Sequence, residues 1–235
     1  MIFSCERNIL SEALNTVIKA ASSKSSLPIL EGVLINTDED FIILTTNNLE
    51  LGIECRIPAI VKEDGSIVVG DAKVFSEIIR KLPGGLIDIE VQDNHLIAIK
   101  NQKSVYNLMG INPVEFPELV RVSGEINFSE KSDKIKNMIR QSSFAIAQKH
   151  EKPILTGSLF EIENSILSIV STDYFRLAIR REKITDDIDD AQFIIPGKTL
   201  NELNRILKDD DTLITVKVGD KYASFEFDNT KVVTR

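Results

Sequence analysis

Cysteine, histidine and tryptophan are scarce in this chain. Its 235 residues include two cysteines, two histidines and no tryptophan. Cys5 and Cys55 stand at no metal-ligand spacing, and two cysteines do not make a disulfide scaffold in a chain of this length. A reducing compartment is therefore expected. His95 and His150 lie in unrelated predicted loops, where an isolated histidine is far more often a solvated side chain than a catalytic base.

The chain also lacks long apolar runs. No stretch approaches the roughly 20 apolar residues that cross a membrane as a helix. The first residues, Met1-Ile2-Phe3-Ser4, have neither the charged leader nor the apolar segment of a signal peptide. We therefore expect a cytoplasmic protein without a membrane partner.

Motifs for the common catalytic chemistries are missing. The chain has no glycine-rich phosphate loop, dinucleotide-binding turn, nucleophile elbow or zinc-protease helix. The acidic cluster Asp209-Asp210-Asp211 follows a predicted helix, and adjacent acids in a turn rarely converge on one ion. The sequence shows no pairing of a base with a nucleophile, which a hydrolase would need. The sequence therefore predicts no catalytic residue, no metal and no cofactor, and a protein that is not an enzyme.

Positive charge is the minority sign, because the formal net charge is −8. This balance argues against a nonspecific nucleic-acid binder whose whole surface is basic. The acids, however, gather in predicted loops at 186–190 and 209–211, whereas many bases lie on predicted helices. The two signs are therefore segregated, and a basic surface is compatible with an acidic chain.

What the chain does contain is a second copy of itself. A shift of 125 positions aligns the sequence with itself, and the shift later grows to 127, where residues 103–106 meet residues 230–233. The matched residues include Phe3-Ser4 with Phe128-Ser129, Lys24 with Lys149, Pro28-Ile29-Leu30 with Pro153-Ile154-Leu155, Gly32 with Gly157, Lys73 with Lys198 and Arg80 with Arg205. A repeated domain presents a repeated surface, which suits a repetitive partner or a symmetric assembly better than a single catalytic cleft.

The repeat predicts two domains of one fold. Copy one takes residues 1–120 and copy two takes residues 121–235. Between residues 112 and 125, Pro113 and Pro117 and the loss of periodicity indicate a stiff linker.

Periodicity predicts the elements of each copy. Apolar residues at helical spacing predict a helix over 6–21 with Ser4 as its N-cap, and a second helix over 72–82 with Val74 among its inward residues. Strands are predicted at 29–35, 41–45, 49–57, 67–69, 86–91, 96–100 and 105–109. Each domain is thus two strand-helix-three-strand modules. The expected class is α+β, with mostly antiparallel sheets and helices on one face.

Basic residues recur on the predicted helices. Lys73 and Arg80 are seven positions apart, as are Lys198 and Arg205, so each pair lies on one side of its helix. The first helix of copy two adds bases that include Lys136 and Arg140, and Lys24 and Lys149 occupy matching loops. Such rows neutralise phosphates without reading bases. The alternative is an ordinary solvated helix face, which is the commoner reason for charge on any single helix.

The segment Ser171-Thr172-Asp173-Tyr174-Phe175-Arg176-Leu177 is the most distinctive short stretch. Thr172 and Asp173 suit a tight turn, after which Phe175, Leu177 and Ile179 alternate with polar residues. A hairpin with one aromatic face in the core explains most of this pattern. The counterpart in copy one, residues 46–51, lacks the aromatic pair and the arginines, so copy two is where a binding site of its own is expected.

These segments resemble the bacterial DNA sliding clamp, the beta subunit of DNA polymerase III. The resemblance rests on Leu27-Pro28-Ile29-Leu30 and Thr46-Asn47-Asn48-Leu49-Glu50 in copy one, and on Pro153-Ile154-Leu155 and residues 172–178 in copy two. It implies the DNA-clamp fold and a non-catalytic replication processivity factor in the bacterial cytoplasm, at the nucleoid. Members have three such domains, and two subunits join head to tail as a homodimeric ring whose helices surround duplex DNA.

The resemblance also implies two sets of site residues. Those expected to face the DNA backbone are Lys24, Lys73, Arg80, Lys149, Lys198 and Arg205, together with the helix bases Lys136 and Arg140. Those expected in a cleft for short partner peptides are Leu155, Thr172, Tyr174, Phe175, Arg176 and Leu177. The implied partners are double-stranded DNA, the alpha subunit of DNA polymerase III, the clamp loader and other proteins with a clamp-binding motif. Members often have a small residue and a histidine where Tyr174 and Phe175 stand.

The sequence departs from the family in one large respect, because it ends with copy two. The third domain supplies one side of the ring interface and the other wall of the peptide cleft, so this chain is not expected to close a ring by that route. An apolar strand at the C-terminus suggests that a further part is missing. The alternative function is a DNA-associated scaffold or peptide-binding module that forms no ring. A single-strand binder is disfavoured, because few aromatic residues interleave with the bases.

Overall fold

The computed structural model describes residues 1–124, 126–186 and 188–235. Asp187, part of the predicted acidic loop, lies outside the described residues. The chain divides into two compact units, Met1–Leu119 and Val120–Arg235. In the part of the chain that is described, no helix is long and apolar enough to cross a membrane.

The first unit, which contains copy one, combines two helices with nine antiparallel strands. The helices are α1 (Arg7–Val17) and α2 (Ala72–Lys81), and the short 3-10 helices are Ile18–Ala20, Pro28–Glu31 and Pro113–Glu115. The strands are β1 (Ile2–Glu6), β2 (Val33–Asp38), β3 (Phe41–Asn47), β4 (Leu51–Pro58), β5 (Ile60–Glu63), β6 (Ser66–Val69), β7 (Leu86–Val91), β8 (Leu96–Asn101) and β9 (Ser104–Ile111). Their order is β4-β3-β2-β6-β9-β8-β7-β1-β5.

The second unit, which contains copy two, repeats this plan. Its helices are α3 (Ser132–Ser142) and α4 (Gly197–Ile206), with 3-10 helices at Ser143–Ala145 and Pro153–Thr156. Its strands are β10 (Ile126–Lys131), β11 (Gly157–Glu163), β12 (Ile166–Thr172), β13 (Leu177–Lys183), β14 (Ala191–Pro196), β15 (Leu213–Val218), β16 (Ala223–Phe227) and β17 (Thr230–Thr234). The antiparallel orders are β13-β12-β11-β14 and β10-β15-β16-β17. The predicted α+β class is confirmed.

Equivalent apolar residues form the two cores. In each unit the first helix packs against the first strand and against the second helix, with side chains that are fully or almost fully buried. The pairs are Phe3 and Phe128, Leu10 and Ile135, Leu14 and Ile139, and Phe75 and Leu200. Because burial of each such side chain contributes roughly 1.5–3 kcal/mol, these stripes fix the helices on their sheets.

Several local predictions are wrong, because contacts between distant parts of the chain decide the structure at these positions. Ser4 is not an N-cap, because it lies within β1, where its hydroxyl donates to the Asp88 carboxylate at 2.5 Å. Glu6 takes the N-cap position without a side-chain cap bond. Residues 29–31 form a 3-10 turn that begins at Pro28 instead of a strand. Val74 is 45% exposed, so it is not inward, and β5 was not predicted.

Three positions with a left-handed backbone recur in both copies. The pairs are Glu39 and Asn164 (φ 53° and 50°), Leu49 and Tyr174 (72° and 72°), and Gln102 and Asp228 (50° and 48°). The last pair is 126 positions apart. The hairpin that joins Asn101 to Ser104 matches the one that joins Phe227 to Thr230, which gives the same shift. The predicted shift of 127 is therefore wrong by one residue.

Gly157 and its counterpart Gly32 each allow a neighbouring strand to approach closely. We therefore expect alanine at Gly157 to destabilise the protein. A Cβ at Gly157 would lie 2.7 Å from the Ile195 carbonyl oxygen, and a Cβ at Gly32 would lie 2.6 Å from that of Val69. Since backbone atoms cannot move aside cheaply, Gly157→Ala should cost about 1–3 kcal/mol in unfolding free energy, measured by urea denaturation. Gly84→Ala is the control, because nothing lies within 4 Å of its Cβ position. Equal denaturation midpoints for the two variants would contradict this account.

Candidate functional site

The loop between β12 and β13 is a tight turn built on polar side chains. The Asp173 carboxylate accepts bonds from the backbone N–H groups of Phe175 and Arg176, each at 3.1 Å, and from the Arg176 guanidinium at 2.9 Å. The Thr172 hydroxyl donates to the Arg176 carbonyl at 2.8 Å and accepts from the Tyr174 N–H at 3.2 Å. These bonds hold Tyr174 in its left-handed conformation and fix the position of Phe175.

The apolar residues of this hairpin face solvent. Phe175 is 97% exposed, Leu177 62% and Tyr174 60%, whereas the buried residue of β13 is Ala178. The predicted hairpin with its aromatic face in the core is therefore wrong. The alternation correctly places Leu177 and Ile179 on one face of β13. Because Ala178 on the other face is buried, that other face is the one that packs inward. Large apolar side chains grouped on a surface indicate a site of interaction.

Two 3-10 helices extend this surface. Ser143–Ala145 packs against β12 and β13 and presents Phe144, which is 59% exposed. Pro153–Thr156 packs against β11 and presents Ile154, which is 58% exposed, beside the half-buried Leu155. We call the following residues the apolar patch of copy two: Phe144, Ile154, Leu155, Tyr174, Phe175 and Leu177. Sequence reasoning missed Phe144 and Ile154, although both are large apolar residues just outside the regular elements.

Basic and aromatic side chains surround the patch. The Arg176 guanidinium lies 5.7 Å from the centre of the Phe144 ring, and the Lys152 ammonium lies 5.8 Å from that of Tyr174. The His150 and Tyr174 rings are 5.0 Å apart. A hydrogen bond with Tyr174 raises the pKa of Lys152. The patch thus combines an apolar surface with fixed positive charge.

The charge of Asp173 supports the loop that carries the patch. Desolvation alone would raise the pKa of this carboxyl, but its hydrogen bonds to the Arg176 backbone and side chain and to the Phe175 backbone outweigh that effect and lower it. A lowered pKa means that folding favours the charged form. The stabilisation is therefore complete above the ordinary pKa of about 4 and is lost as the pH falls through the lower folded-state value.

We expect Asp173→Ala to loosen the loop. The amide hydrogens of Phe175 and Arg176 lose their acceptor, so their exchange with solvent at neutral pH should accelerate several-fold, measured by NMR. The control is Asp210→Ala, because Asp210 accepts a similar bond from the Thr212 N–H at 3.0 Å away from the patch. Exchange at Arg176 that is as slow in Asp173→Ala as in Asp210→Ala would disprove the role of Asp173.

The predicted basic residues are mostly exposed. Lys73 and Arg80 share the exposed face of α2, and Lys198 and Arg205 share that of α4. Arg205 also contacts Glu202 at 3.0 Å within its own helix. The exposed loop lysines Lys24 and Lys149 follow the first helix of each unit.

Helix α3 presents less available charge than its sequence suggests. Lys136 is half-buried and pairs with Asp209 at 2.7 Å, whereas Arg140 is exposed and bonds to the Asn137 side chain at 2.6 Å. Within each helix the structure brings the predicted bases to one side. A role in DNA binding for any of them stays a prediction.

The described residues contain no group of three or more His, Cys, Asp or Glu side chains that would hold a metal ion. Both cysteines are buried, and burial raises the pKa of the Cys5 thiol to about 12, so Cys5 is an uncharged thiol at neutral pH. A cavity of about 800 Å³ in the second unit is lined by residues such as Val122, Ile194 and Tyr222 and contains none of the predicted site residues.

Comparison with known proteins identifies the family. The model of the DNA polymerase III beta subunit N-terminal domain matches residues 1–120, and that of its central domain matches residues 130–235. The beta sliding clamps of Halalkalibacterium halodurans and Bacillus subtilis are 38% and 34% identical to this chain over its whole length. The chain spans 64% of the length of each.

Solved structures agree with these sequence matches. A putative DNA polymerase III beta subunit from Eubacterium rectale and the DNA polymerase sliding clamp from Bacillus subtilis each give a TM-score of 0.96 at 34% identity. Each comparison covers all of this chain and 64% of the other. This chain, with an N-terminal and a central clamp domain in order, therefore belongs to the DNA polymerase III beta subunit family, the bacterial sliding clamps.

Proposed function

We propose that this chain acts as a DNA replication processivity factor in the bacterial cytoplasm, a sliding clamp that encircles duplex DNA and tethers the replicative polymerase. The observation that carries the proposal is the apolar patch of copy two, whose most exposed residue, Phe175, is 97% exposed. An apolar surface with few polar groups suits a short peptide from a partner protein. The polymerase alpha subunit, the clamp loader and other clamp-binding proteins are the proposed partners, and the chain itself has no catalytic role.

Duplex DNA is the second proposed partner. The exposed bases of α2 and α4 present positive charge on helix faces in an otherwise acidic chain. Such contacts with phosphates are independent of sequence and weak enough to permit sliding. In a closed ring, enclosure of the DNA keeps the clamp on its template, so processivity does not require high affinity for the DNA.

An open strand edge supports head-to-tail assembly with a second subunit. Residues 104–109 of β9 pair with β8 on one side, whereas β6 pairs only with Gly110 and Ile111. Val105 and Met109 in this stretch are 61% and 65% exposed. Within the described residues, this edge of β9 has no strand partner along 104–109, and such an edge with exposed apolar side chains suits the addition of a strand from another chain. We propose this edge as one side of a ring interface.

The second candidate function is a peptide-binding module that forms no ring. The observation that favours it is that every residue of the apolar patch lies within the second unit. This module needs no DNA for its action, so the DNA experiment below separates it from a clamp.

Peptide binding tests the proposed function directly. A fluorescent peptide with the clamp-binding sequence of a bacterial polymerase alpha subunit should give saturable anisotropy with this chain, and the unlabelled peptide should displace it. Absence of saturation at the highest soluble concentration of the chain would reject the patch as the polymerase site.

DNA binding should depend on the helix bases. For Arg80→Glu/Arg205→Glu we expect weaker association with a linear duplex and a salt dependence shallower by about 1.8, since each lost phosphate contact removes about 0.9 from the slope of log K against log salt. The matched control is Lys62→Glu/Lys221→Glu, which changes the net charge equally at two exposed lysines outside the helices. Equal slopes in the two double variants would disprove the assigned DNA face.

A further inference from the structure

The connection that follows α4 is acidic and contacts the start of α3. We call residues 208–212 the acidic turn, because they contain Asp209, Asp210 and Asp211. Two hydrogen bonds from α3 hold the backbone of this turn. The Ser132 N–H donates to the Thr212 carbonyl at 2.8 Å, and the Ser132 hydroxyl donates to the Lys208 carbonyl at 2.7 Å. The carboxylates of the acidic turn are therefore held beside the first residues of α3.

Two of these carboxylates pair with lysines at α3. Asp209 lies 2.7 Å from the ammonium group of Lys136, which is on the helix. Asp211 lies 3.2 Å from that of Lys131, which immediately precedes the helix. The side chains of Asp209 and Asp211 are 67% and 79% exposed, so both carboxylates also face solvent. The acidic turn thus occupies two bases whose positive charge α3 would otherwise present.

The acidic turn is longer than its counterpart in copy one. Residues 82–85 connect α2 to β7, whereas residues 207–212 connect α4 to β15, so four residues are replaced by six. The connection in copy one consists of Leu82, Pro83, Gly84 and Gly85 and contains no acidic residue. The additional length and all of the negative charge are therefore particular to copy two.

The lysines that the turn contacts are particular to copy two as well. The pairings of β1 with β7 and of β10 with β15 match Lys131 with Glu6. The shift of 125 positions matches Lys136 with Ser11, which is buried. The acids and the bases thus occur together in one copy and are both missing from the other. This joint occurrence favours a matched pairing over two unrelated sets of surface charge.

The main effect of such pairs is on binding. Ion pairs between exposed side chains contribute little to stability, because water and salt screen them. A carboxylate that is held beside a lysine nevertheless competes with any other anion for that lysine. The phosphates of duplex DNA are such anions, and they bind proteins mainly through lysine and arginine. Lys136 is one of the bases predicted to face DNA.

We propose that the acidic turn is an internal competitor of DNA phosphates, which occupies Lys131 and Lys136 and lowers the affinity of the chain for duplex DNA. The inference rests on the proposed function, because it concerns the DNA that the clamp encircles. Weak contacts with phosphates permit sliding, and the acidic turn keeps the contacts of α3 weak. DNA must displace the carboxylates before it gains these two lysines.

Removal of the two paired carboxylates tests this proposal. For Asp209→Asn/Asp211→Asn we expect the full chain to bind a labelled linear duplex about three- to tenfold more tightly at about 0.1 M salt. The slope of log K against log salt should steepen by up to about 1.8, since each available base adds about 0.9. Fluorescence anisotropy over a range of salt concentrations measures both effects. Asp210 is retained, because its carboxylate accepts the Thr212 N–H at 3.0 Å within the turn.

The matched control is Asp93→Asn/Asp220→Asn. Both residues are exposed, in the turns between β7 and β8 and between β15 and β16, and their replacement changes the net charge equally. This control should bind DNA with the slope of the unmodified chain. Equal affinity and slope in the two double variants would overturn the proposal, because net charge alone would then explain the result.

A further pair of substitutions shows whether the gain depends on the lysines. Lys131→Ala/Lys136→Ala should reduce DNA affinity several-fold more in the Asp209→Asn/Asp211→Asn background than in the unmodified chain, because only there are both lysines free of the acidic turn. A double-mutant cycle measures this dependence. Equal losses in the two backgrounds would contradict the competition.

The same titrations separate this proposal from the proposed function. If the unmodified chain binds DNA and Asp209→Asn/Asp211→Asn binds no more tightly than its control, the competitor is wrong and the proposed function stands. If that variant gains affinity while Arg80→Glu/Arg205→Glu loses none, the competitor stands and the DNA face assigned to α2 and α4 is wrong. If no form of the chain binds DNA, both are wrong.

Discussion

Replacement of Phe175 by alanine should weaken binding of the polymerase-derived peptide at least about 30-fold. Phe175 is the most exposed aromatic residue of the apolar patch, and its turn holds it in place through Asp173 and Thr172. A rigid aromatic anchor at the centre of an interface commonly contributes about 2 kcal/mol or more, and each 1.4 kcal/mol changes affinity tenfold. Anisotropy of the labelled peptide measures the effect.

Stability should not change in this variant, because a side chain that is 97% exposed makes few contacts in the free protein. The matched control is Leu49→Ala, which removes a 52% exposed apolar side chain from the equivalent left-handed turn of copy one. This control should bind the peptide as the unmodified chain does. If Phe175→Ala also kept full affinity, the patch would not be the peptide site.

Phe160→Ala should destabilise the second unit by about 3–5 kcal/mol. Phe160 is fully buried in β11, and its ring stacks on that of Phe193 with centres 5.2 Å apart. Removal of the ring forfeits its burial and leaves a cavity that close-packed neighbours fill only in part. Urea denaturation followed by circular dichroism gives the change in unfolding free energy.

The internal comparison for this effect is Phe75→Ala, which empties an equally buried position of the first unit. If the units unfold separately, each variant should shift a different transition. A loss below 1 kcal/mol for Phe160→Ala would show that the site collapses around the smaller side chain, contrary to the close packing described above.

Much of the fold is present in local sequence patterns. The apolar stripe formed by Leu10, Leu14 and their matches in copy two predicts the first helix of each unit. Because the sequence is duplicated, the same elements are predicted in both copies. The limits of β7 follow from its apolar alternation and flanking turns. Pairing between distant strands is not local, which is why Ser4 was placed in a helix cap instead of β1.

The site was harder to predict, because alternation does not say which face of a strand is buried. Phe175 and Leu177 were assigned both to a core hairpin and, through the family resemblance, to a cleft. The burial of Ala178 excludes the core hairpin, whereas the cleft stays a prediction, and a single sequence does not show which face of β13 packs inward. The charge available for binding was also hard to predict. Lys136 lies on the expected helix, but it pairs with Asp209, which lies outside that helix.

The three shared left-handed turns show how a duplicated gene can acquire a new specificity. At each pair the residue type has changed, from Glu39 to Asn164, from Leu49 to Tyr174 and from Gln102 to Asp228, while φ differs by at most a few degrees. The backbone conformation at these positions is thus the same in both copies, although the side chains differ. The matched turns at Leu49 and Tyr174 have one shape and the same length, so point substitutions alone account for what the two copies present to solvent there, and the docking site proposed for copy two needs no insertion in this turn.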